Sequence, residues 1–325
     1  MSSNITQKGQ GMGKETIGVV GIGHMGLPMS RRLIGAGYPV IAYDLSADAV
    51  REAVESGAAA ADSLADLGRR CATVITMLPN SAIIDAAVRS EGLGEAMAPG
   101  STLIDMSTAV PARTVALARW LAEREVGMLD APVSGGVAGA ERGSLTIMVG
   151  GARLLYDRYH PLFEAMGKTI HYVGDTGAGH TIKAINNMVS ATTMAVTSEA
   201  LALAVKAGIN VETALAVINS GTGRSWSSEY KFPTFVLNHA FNSGFSIGLM
   251  RKDVDIAIEL GQEHAVPLFV AAAAQQLYRF AIGHGLGEQC HTTIATILEE
   301  MAGVRLDGTH EVIAEWRDSS GGGGL

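Results

Sequence analysis

One short segment constrains this chain more than any other. Gly21-Ile22-Gly23-His24-Met25-Gly26 follows directly on the apolar run TIGVV (16–20) and opens a helical pattern. The spacing G-x-G-x-x-G at a strand-to-helix junction asks for a parallel βαβ unit. Gly21 permits the tight turn, Gly23 lets the backbone approach a pyrophosphate, and Gly26 allows close helix–strand packing. The start of the helix adds unpaired N–H groups and the positive end of its dipole. In a chain with 40 glycines the hexapeptide alone carries little weight. Asp44 adds the weight, because it ends the next β-branched run 23 residues after Gly21. A carboxylate there accepts from a ribose 2′-hydroxyl and repels a 2′-phosphate, so NAD is expected ahead of NADP. The plain alternatives are a ligand-free glycine turn and, for Asp44, a helix cap or turn residue at Leu45-Ser46.

The rhythm around the loop agrees with it. From 16 to about 175, the runs TIGVV, PVIAY (39–43), ATVITM (72–77), STLIDM (101–106), VGMLDAP (126–132), LTIMVG (145–150) and TIHYV (169–173) alternate with helical stretches near 25–36, 46–56, 81–89, 111–124 and 152–166. Strand, helix, strand at this spacing predicts an α/β Rossmann-type domain with a doubly wound, mostly parallel sheet. Continuous apolar runs are what buried parallel strands require. Beyond it the pattern turns helical: a long proline-free stretch over about 180–207, then segments near 211–219, 226–239, 249–263, 267–283 and 289–302. The expected organisation is a disordered tail (1–15), a dinucleotide domain (16–175), an all-helical substrate and oligomerisation domain (176–304), and a C-terminal extension ending in glycines (305–325).

Composition excludes several classes. Charged residues are only 17% and apolar ones 47%, so global disorder is ruled out. The net charge of −8 opposes a nucleic-acid partner. No stretch approaches 18 uncharged apolar residues, so no membrane span is expected. Cys71 and Cys290 are too few for a disulfide framework and suit a cytoplasmic protein. Nine histidines lack H-x-x-x-H or H-E-x-x-H spacing, so no catalytic metal is expected.

Four motifs in order resemble those of the β-hydroxyacid dehydrogenases: GVVGIGHMGLPMSRRL (18–33), DAPVSGG (130–136), GAGHTIKAINN (177–187) and Lys252-Asp253. Within that family, INSGTGRSWSSE (218–229) and GLMRKD (248–253) are most similar to the 3-hydroxyisobutyrate dehydrogenase branch. Arg32 and Ile83 depart from the pattern, standing where Asn or His and Asn are usual. The resemblance implies a Rossmann domain, a long interdomain helix and an oligomerising α-domain, as a homodimer or homotetramer. It also implies that Leu78, Pro79 and Thr108, at strand ends, contact the cofactor and that Lys252 reaches its nicotinamide side. For Thr108 the bland alternative is a helix cap before Pro111.

The chemistry residues can be read beside that resemblance. Ser134, Gly135 and Gly136 combine a hydroxyl with flexible N–H groups, suited to a substrate carboxylate, although a glycine pair often marks only a turn. Lys183 lies in an apolar helical run with Asn186 and Asn187 one turn later. A buried lysine is costly unless paired or working, and desolvation lowers its pKa toward the range of proton transfer. Lys183 is therefore the expected general acid/base, with Asn187 beside it; a snorkelling surface lysine is the alternative. Arg224 and Lys231 are candidate selectors of a substrate anion, against the bland reading of solvated cations. The expected activity is hydride exchange between NAD and a short, 3-hydroxyisobutyrate-like 3-hydroxy acid, a small-molecule partner. Tartronate semialdehyde reduction, threonate oxidation, another β-hydroxyacid, or a non-catalytic dinucleotide scaffold are the alternatives.

Overall fold

The computed structural model describes residues 14–307, so most of both expected tails lies outside the described residues. The chain divides into two units between Gly179 and His180.

In the first unit, nine described strands form one sheet: β1 (Ile17–Val20), β2 (Val40–Tyr43), β3 (Ala59–Ala60), β4 (Thr73–Thr76), β5 (Thr102–Asp105), β6 (Gly127–Asp130), β7 (Val133–Ser134), β8 (Leu145–Gly151) and β9 (Gly167–Gly174). Their order is β3-β2-β1-β4-β5-β6-β8-β7, with β9 also beside β8. The strands from β3 to β6 are parallel, β8 runs antiparallel to β6 and β7, and β8 and β9 are parallel. The chain therefore reverses its winding between β1 and β4, the place where open α/β sheets bind ligands.

Eight helices connect the strands: α1 (Gly26–Gly35), α2 (Ala47–Glu55), α3 (Leu64–Arg70), α4 (Ser81–Asp85), α5 (Leu93–Ala96), α6 (Pro111–Ala122), α7 (Gly136–Arg142) and α8 (Arg153–Glu164). Alternate strand residues serve two cores. Ile17, Val19, Ile75, Ile104 and Leu129 pack with Met29 and Leu33 of α1 and with Tyr159 and Phe163 of α8. Val20, Val74, Leu103 and Met128 pack with Leu64 and Leu67 of α3 and with Leu117 and Leu121 of α6. Both faces are thus buried, which is why the strands read as unbroken apolar runs rather than alternating ones. Each fully buried Leu or Phe contributes about 1.5–3 kcal/mol.

The second unit is helical: α9 (Ala178–Lys206, begun in the first unit), α10 (Val211–Ser220), a π-helical segment (Ser227–Val236), α11 (Ile247–Glu263), α12 (Phe269–Gly283), a 3₁₀ turn (His291–Thr293) and α13 (Ile294–Ala302). Ala191, Met194, Leu201 and Val205 of α9 form one core with Phe232, Met250, Val254, Tyr278 and Ile294. The stretch near 226–239 is wound as a π-helix rather than an α-helix. Pro233 has no N–H, so the ordinary bond back to residue 229 cannot form, and Leu237 instead donates to Phe232 O, five residues back (3.0 Å).

One helix bears on the expectation that there is no membrane span. α9 carries an 18-residue window of mean hydropathy 1.4 and is long and apolar enough, by length and composition, to cross a membrane. Its apolarity has an internal use here, since Ala191, Met194, Leu201, Ala202 and Val205 belong to the core of the unit, and Ser198 and Thr192 return their hydroxyls to Met194 O and Met188 O.

Candidate active site

The glycine loop follows from sterics. Gly21 has φ +94°, a left-handed conformation, and a Cβ there would lie 2.3 Å from Met77 O. A Cβ on Gly26 would lie 1.8 Å from Gly21 O, so only glycine lets α1 start this close to β1. Gly23 differs: a Cβ there meets nothing within 4 Å. Gly23 and His24 are exposed, Met25 is half-buried and Ile22 is buried. The first turn of α1 has Met25 at its cap position and no side-chain cap, leaving N–H groups at an open rim. Space at Gly23 beside an uncapped helix start fits a pyrophosphate.

Asp44 lies half-buried at the end of β2. Its Oδ2 accepts from Ile22 N (2.7 Å) and its Oδ1 from Ser46 N (2.8 Å), so the carboxylate is clamped to the loop. The cap of α2 is Ser46, which accepts from Ala49 N, so Asp44 is not the cap, while its bond from Ser46 N, two residues on, gives it the turn role. Each oxygen keeps a second acceptor direction, enough for a ribose diol.

At the ends of β4 and β5, Asp105 Oδ1 accepts from Thr76 Oγ1 (2.9 Å) and Ser107 N (3.1 Å), and Ser107 Oγ accepts from Leu78 N (2.8 Å). This buried network fixes the backbone at half-buried Leu78, exposed Pro79 and half-buried Thr108. Thr108 does not cap α6; Val110 occupies that position, with Pro111 first in the helix. Of the two departures, Arg32 sends its guanidinium to Ala165 O (3.4 Å) and over Gly143, and Ile83 is exposed in the first turn of α4. Ser134 is half-buried at the end of β7, and Gly135 and Gly136, exposed with φ +129° and +62°, turn the chain into α7. The conformation at Gly135 demands glycine, that at Gly136 only favours it, and the pair leaves an N–H edge at the surface.

The second unit builds a charged cluster on one face of α9. Lys183, Asn187 and Ser190 sit at i, i+4 and i+7. Lys183 is 7% exposed and Asn187 5%, whereas Asn186 is exposed and donates to Asn187 Oδ1 (3.1 Å). Asn187 Nδ2 donates to Asp253 Oδ2 of α11 (2.5 Å), and Asp253 Oδ1 lies 3.1 Å from Lys252 Nζ. Burial pushes the Lys183 ammonium down to about 8; the Asp253 carboxylate pulls against that and Lys252 adds to it. An amine with a pKa near neutrality and a carboxamide fixed one turn away can take and return a proton at a substrate hydroxyl.

Lys231, on the π-helical segment, joins this face: it is buried and its Nζ donates to Ser190 Oγ (2.7 Å). Arg224 is exposed and pairs with Glu229 (3.8 Å); no contact among the described residues brings it to Lys183, Asn187 or Lys231. Two contributors went unassigned from sequence. Asp253 was visible only as half of a motif, and Ser190 had only its helical register with Lys183 as a signal. Among the described residues no group of three His, Cys, Asp or Glu could hold a metal ion.

Residues 16–174 match the family model described as the NAD binding domain of 6-phosphogluconate dehydrogenase, and 177–298 that described as NAD-binding of NADP-dependent 3-hydroxyisobutyrate dehydrogenase. The chain is 37% identical over 293 residues to the 2-(hydroxymethyl)glutarate dehydrogenase of Eubacterium barkeri, spanning 90% of this chain and 97% of the relative. It is 36% identical over 294 residues to the NAD-dependent L-serine dehydrogenase of Pseudomonas aeruginosa, spanning 88% and 99%. Among solved structures, the 3-hydroxyisobutyrate dehydrogenase of Mycobacterium tuberculosis with L-serine has a TM-score of 0.81 at 31% identity, over 88% of this chain and 99% of that one.

Proposed function

Because the chain belongs to the β-hydroxyacid dehydrogenase family and is an NAD(P)-dependent enzyme acting on a hydroxy acid, we propose a narrower activity. It exchanges a hydride between NAD and the hydroxymethyl carbon of a short 3-hydroxy acid of the 3-hydroxyisobutyrate kind, giving the semialdehyde. The observation that carries this is the buried Lys183 ammonium beside an Asn187 amide held by Asp253. The substrates in the relatives' names (2-(hydroxymethyl)glutarate, L-serine and 3-hydroxyisobutyrate) are all 3-hydroxypropanoates that differ at C2. One scaffold with a variable substituent is the simplest common denominator.

When bound, the nicotinamide supplies the hydride acceptor or donor. Gly21 to Gly26 and Asp44 hold the dinucleotide by its pyrophosphate and ribose, and Leu78, Pro79 and Thr108 flank it. In the oxidation, neutral Lys183 takes the hydroxyl proton as the hydride departs; in the reduction, the ammonium returns it. Asn187 orients the hydroxyl with the amide N–H that Asp253 leaves unused. In the first unit, the hydroxyl and N–H groups of Ser134, Gly135 and Gly136 suit a substrate carboxylate.

The test is a panel of acids followed by the absorbance of reduced cofactor. We expect oxidation of 3-hydroxypropanoates with a primary alcohol and at least about a hundredfold lower kcat/KM for 2-hydroxy acids, the loss that misplaced reacting atoms cause. Turnover confined to 2-hydroxy, polyhydroxylated or sulfonated acids would reject the assignment.

A further inference from the structure

The second unit buries more positive charge than the reaction above uses. Lys183 serves the hydroxyl, but Lys231 is a second lysine only 7% exposed on the same cluster. Its one hydrogen bond among the described residues is to the neutral Ser190 Oγ, which takes one of the three N–H donors of the ammonium. It has no ion pair among the described residues. The carboxylate of this cluster, Asp253, is held by Asn187 and Lys252. Burial, opposed by the neighbouring Cys290 thiol and aided by the Lys183 charge, lowers the Lys231 ammonium to about 8. A buried cation with no carboxylate beside it is costly, and an anionic ligand would offset that cost.

The placement suits two ends of one small molecule. Ser190 lies seven residues beyond Lys183, about 10 Å of helix rise at 1.5 Å per residue. The π winding at Pro233 belongs to the segment that carries Lys231, and such widened turns set side chains at sites rather than in regular rows. Since the reading above gives the hydroxyl to Lys183 and the C1 carboxylate to the groups of Ser134 to Gly136, the part of a 3-hydroxypropanoate left without an assigned partner is its C2 substituent.

We propose that Lys231 is the counter-ion for a second anionic group, so that the substrate is a 3-hydroxypropanoate whose C2 substituent ends in a carboxylate. This rests on the 3-hydroxypropanoate reading above. The selection works through differential affinity: a neutral substituent leaves the ammonium buried and unpaired, while a carboxylate satisfies it.

The experiment compares kcat/KM for 2-(hydroxymethyl)succinate and 2-(hydroxymethyl)glutarate with that for the far-end monoamide of each, which keeps the shape and removes the charge. 3-Hydroxyisobutyrate is the monocarboxylate reference. The unmodified enzyme is expected to favour at least one diacid over its amide by about tenfold or more, the discrimination expected of a site whose polar group would otherwise go unpaired. Lys231→Met should collapse that ratio to near one by losing the diacid, and Lys231→Arg should keep most of it. Equal rates for diacid and amide in the unmodified enzyme overturn the inference, as does a Lys231→Met enzyme that keeps the ratio or loses diacid and 3-hydroxyisobutyrate alike. If Lys231→Met does not fold, the diacid-to-amide ratio of the unmodified enzyme decides. Equal turnover of 3-hydroxyisobutyrate, diacids and amides sinks the inference and leaves the 3-hydroxypropanoate reading standing. Turnover of none of them sinks both.

Discussion

At the scale of single residues, the positions of the glycine loop and Asp44 were legible because their geometry follows from local rules. Gly21 and Gly26 are required by atoms that are close in the chain or one strand away, and Asp44 sits where a β2 carboxylate must meet the loop. Lys183 was legible as a charge in an apolar helix. Lys231 was visible only as one cation among others, because what distinguishes it is a bond to Ser190, 41 residues away in sequence. The Asn187–Asp253 bond spans 66 residues and had no local signal at all. Asp44 carries the prediction at this scale. If its carboxylate meets the ribose diol, the unmodified enzyme prefers NAD to NADP by kcat/KM. Asp44→Ser then shrinks that preference by about tenfold or more, each tenfold being about 1.4 kcal/mol of discrimination. Equal use of both cofactors by the unmodified protein would contradict the role given to Asp44.

At the scale of elements, the period-two and period-3.6 patterns located the seven longer strands and most helices within a few residues. The short pieces α3, α5, α7, β3 and β7 were not separable from loops, because four to seven residues of helix or two of strand carry too little periodicity. The π winding over Ser227–Val236 was hidden for a different reason: it depends on which carbonyl each N–H reaches, not on which face is apolar. The turn His291–Thr293 makes a testable contribution to stability. His291 is 3% exposed, its Nδ1 bonds Phe245 O (3.2 Å), and burial, with the Lys231 charge adding, lowers it from 6.5 to about 3. The folded state therefore holds it neutral while the unfolded chain protonates it below about 6.5. Between pH 6.5 and 3 the unfolded state binds the extra proton, so this contribution to stability is present above 6.5 and declines as pH falls, by up to about 1.4 kcal/mol per pH unit. Denaturant unfolding at pH 6.5, 5.5 and 4.5 should show His291→Asn losing stability less steeply than the unmodified protein. Parallel profiles would contradict a buried neutral imidazole.

At the scale of the molecule, the proposed mechanism divides its residues between the two units. The first carries the loop, Asp44 and the strand ends that suit a dinucleotide; the second carries the cationic face of α9. The division was legible in the change from alternating strands to continuous helix near Gly177, since a parallel sheet and a helical core need different patterns. It also makes the central claim separable by experiment. Lys183 belongs to the second unit and the cofactor loop to the first, so in Lys183→Ala binding of reduced cofactor, followed by its fluorescence, should change by less than about threefold. Turnover on the best acid should fall by about 10²–10⁴-fold, the usual contribution of a positioned acid or base. Measuring both quantities on one folded preparation of Lys183→Ala is the most direct test. Retained cofactor binding with lost kcat is the predicted result; near-normal kcat in the folded variant would make Lys183 a structural residue and contradict the mechanism.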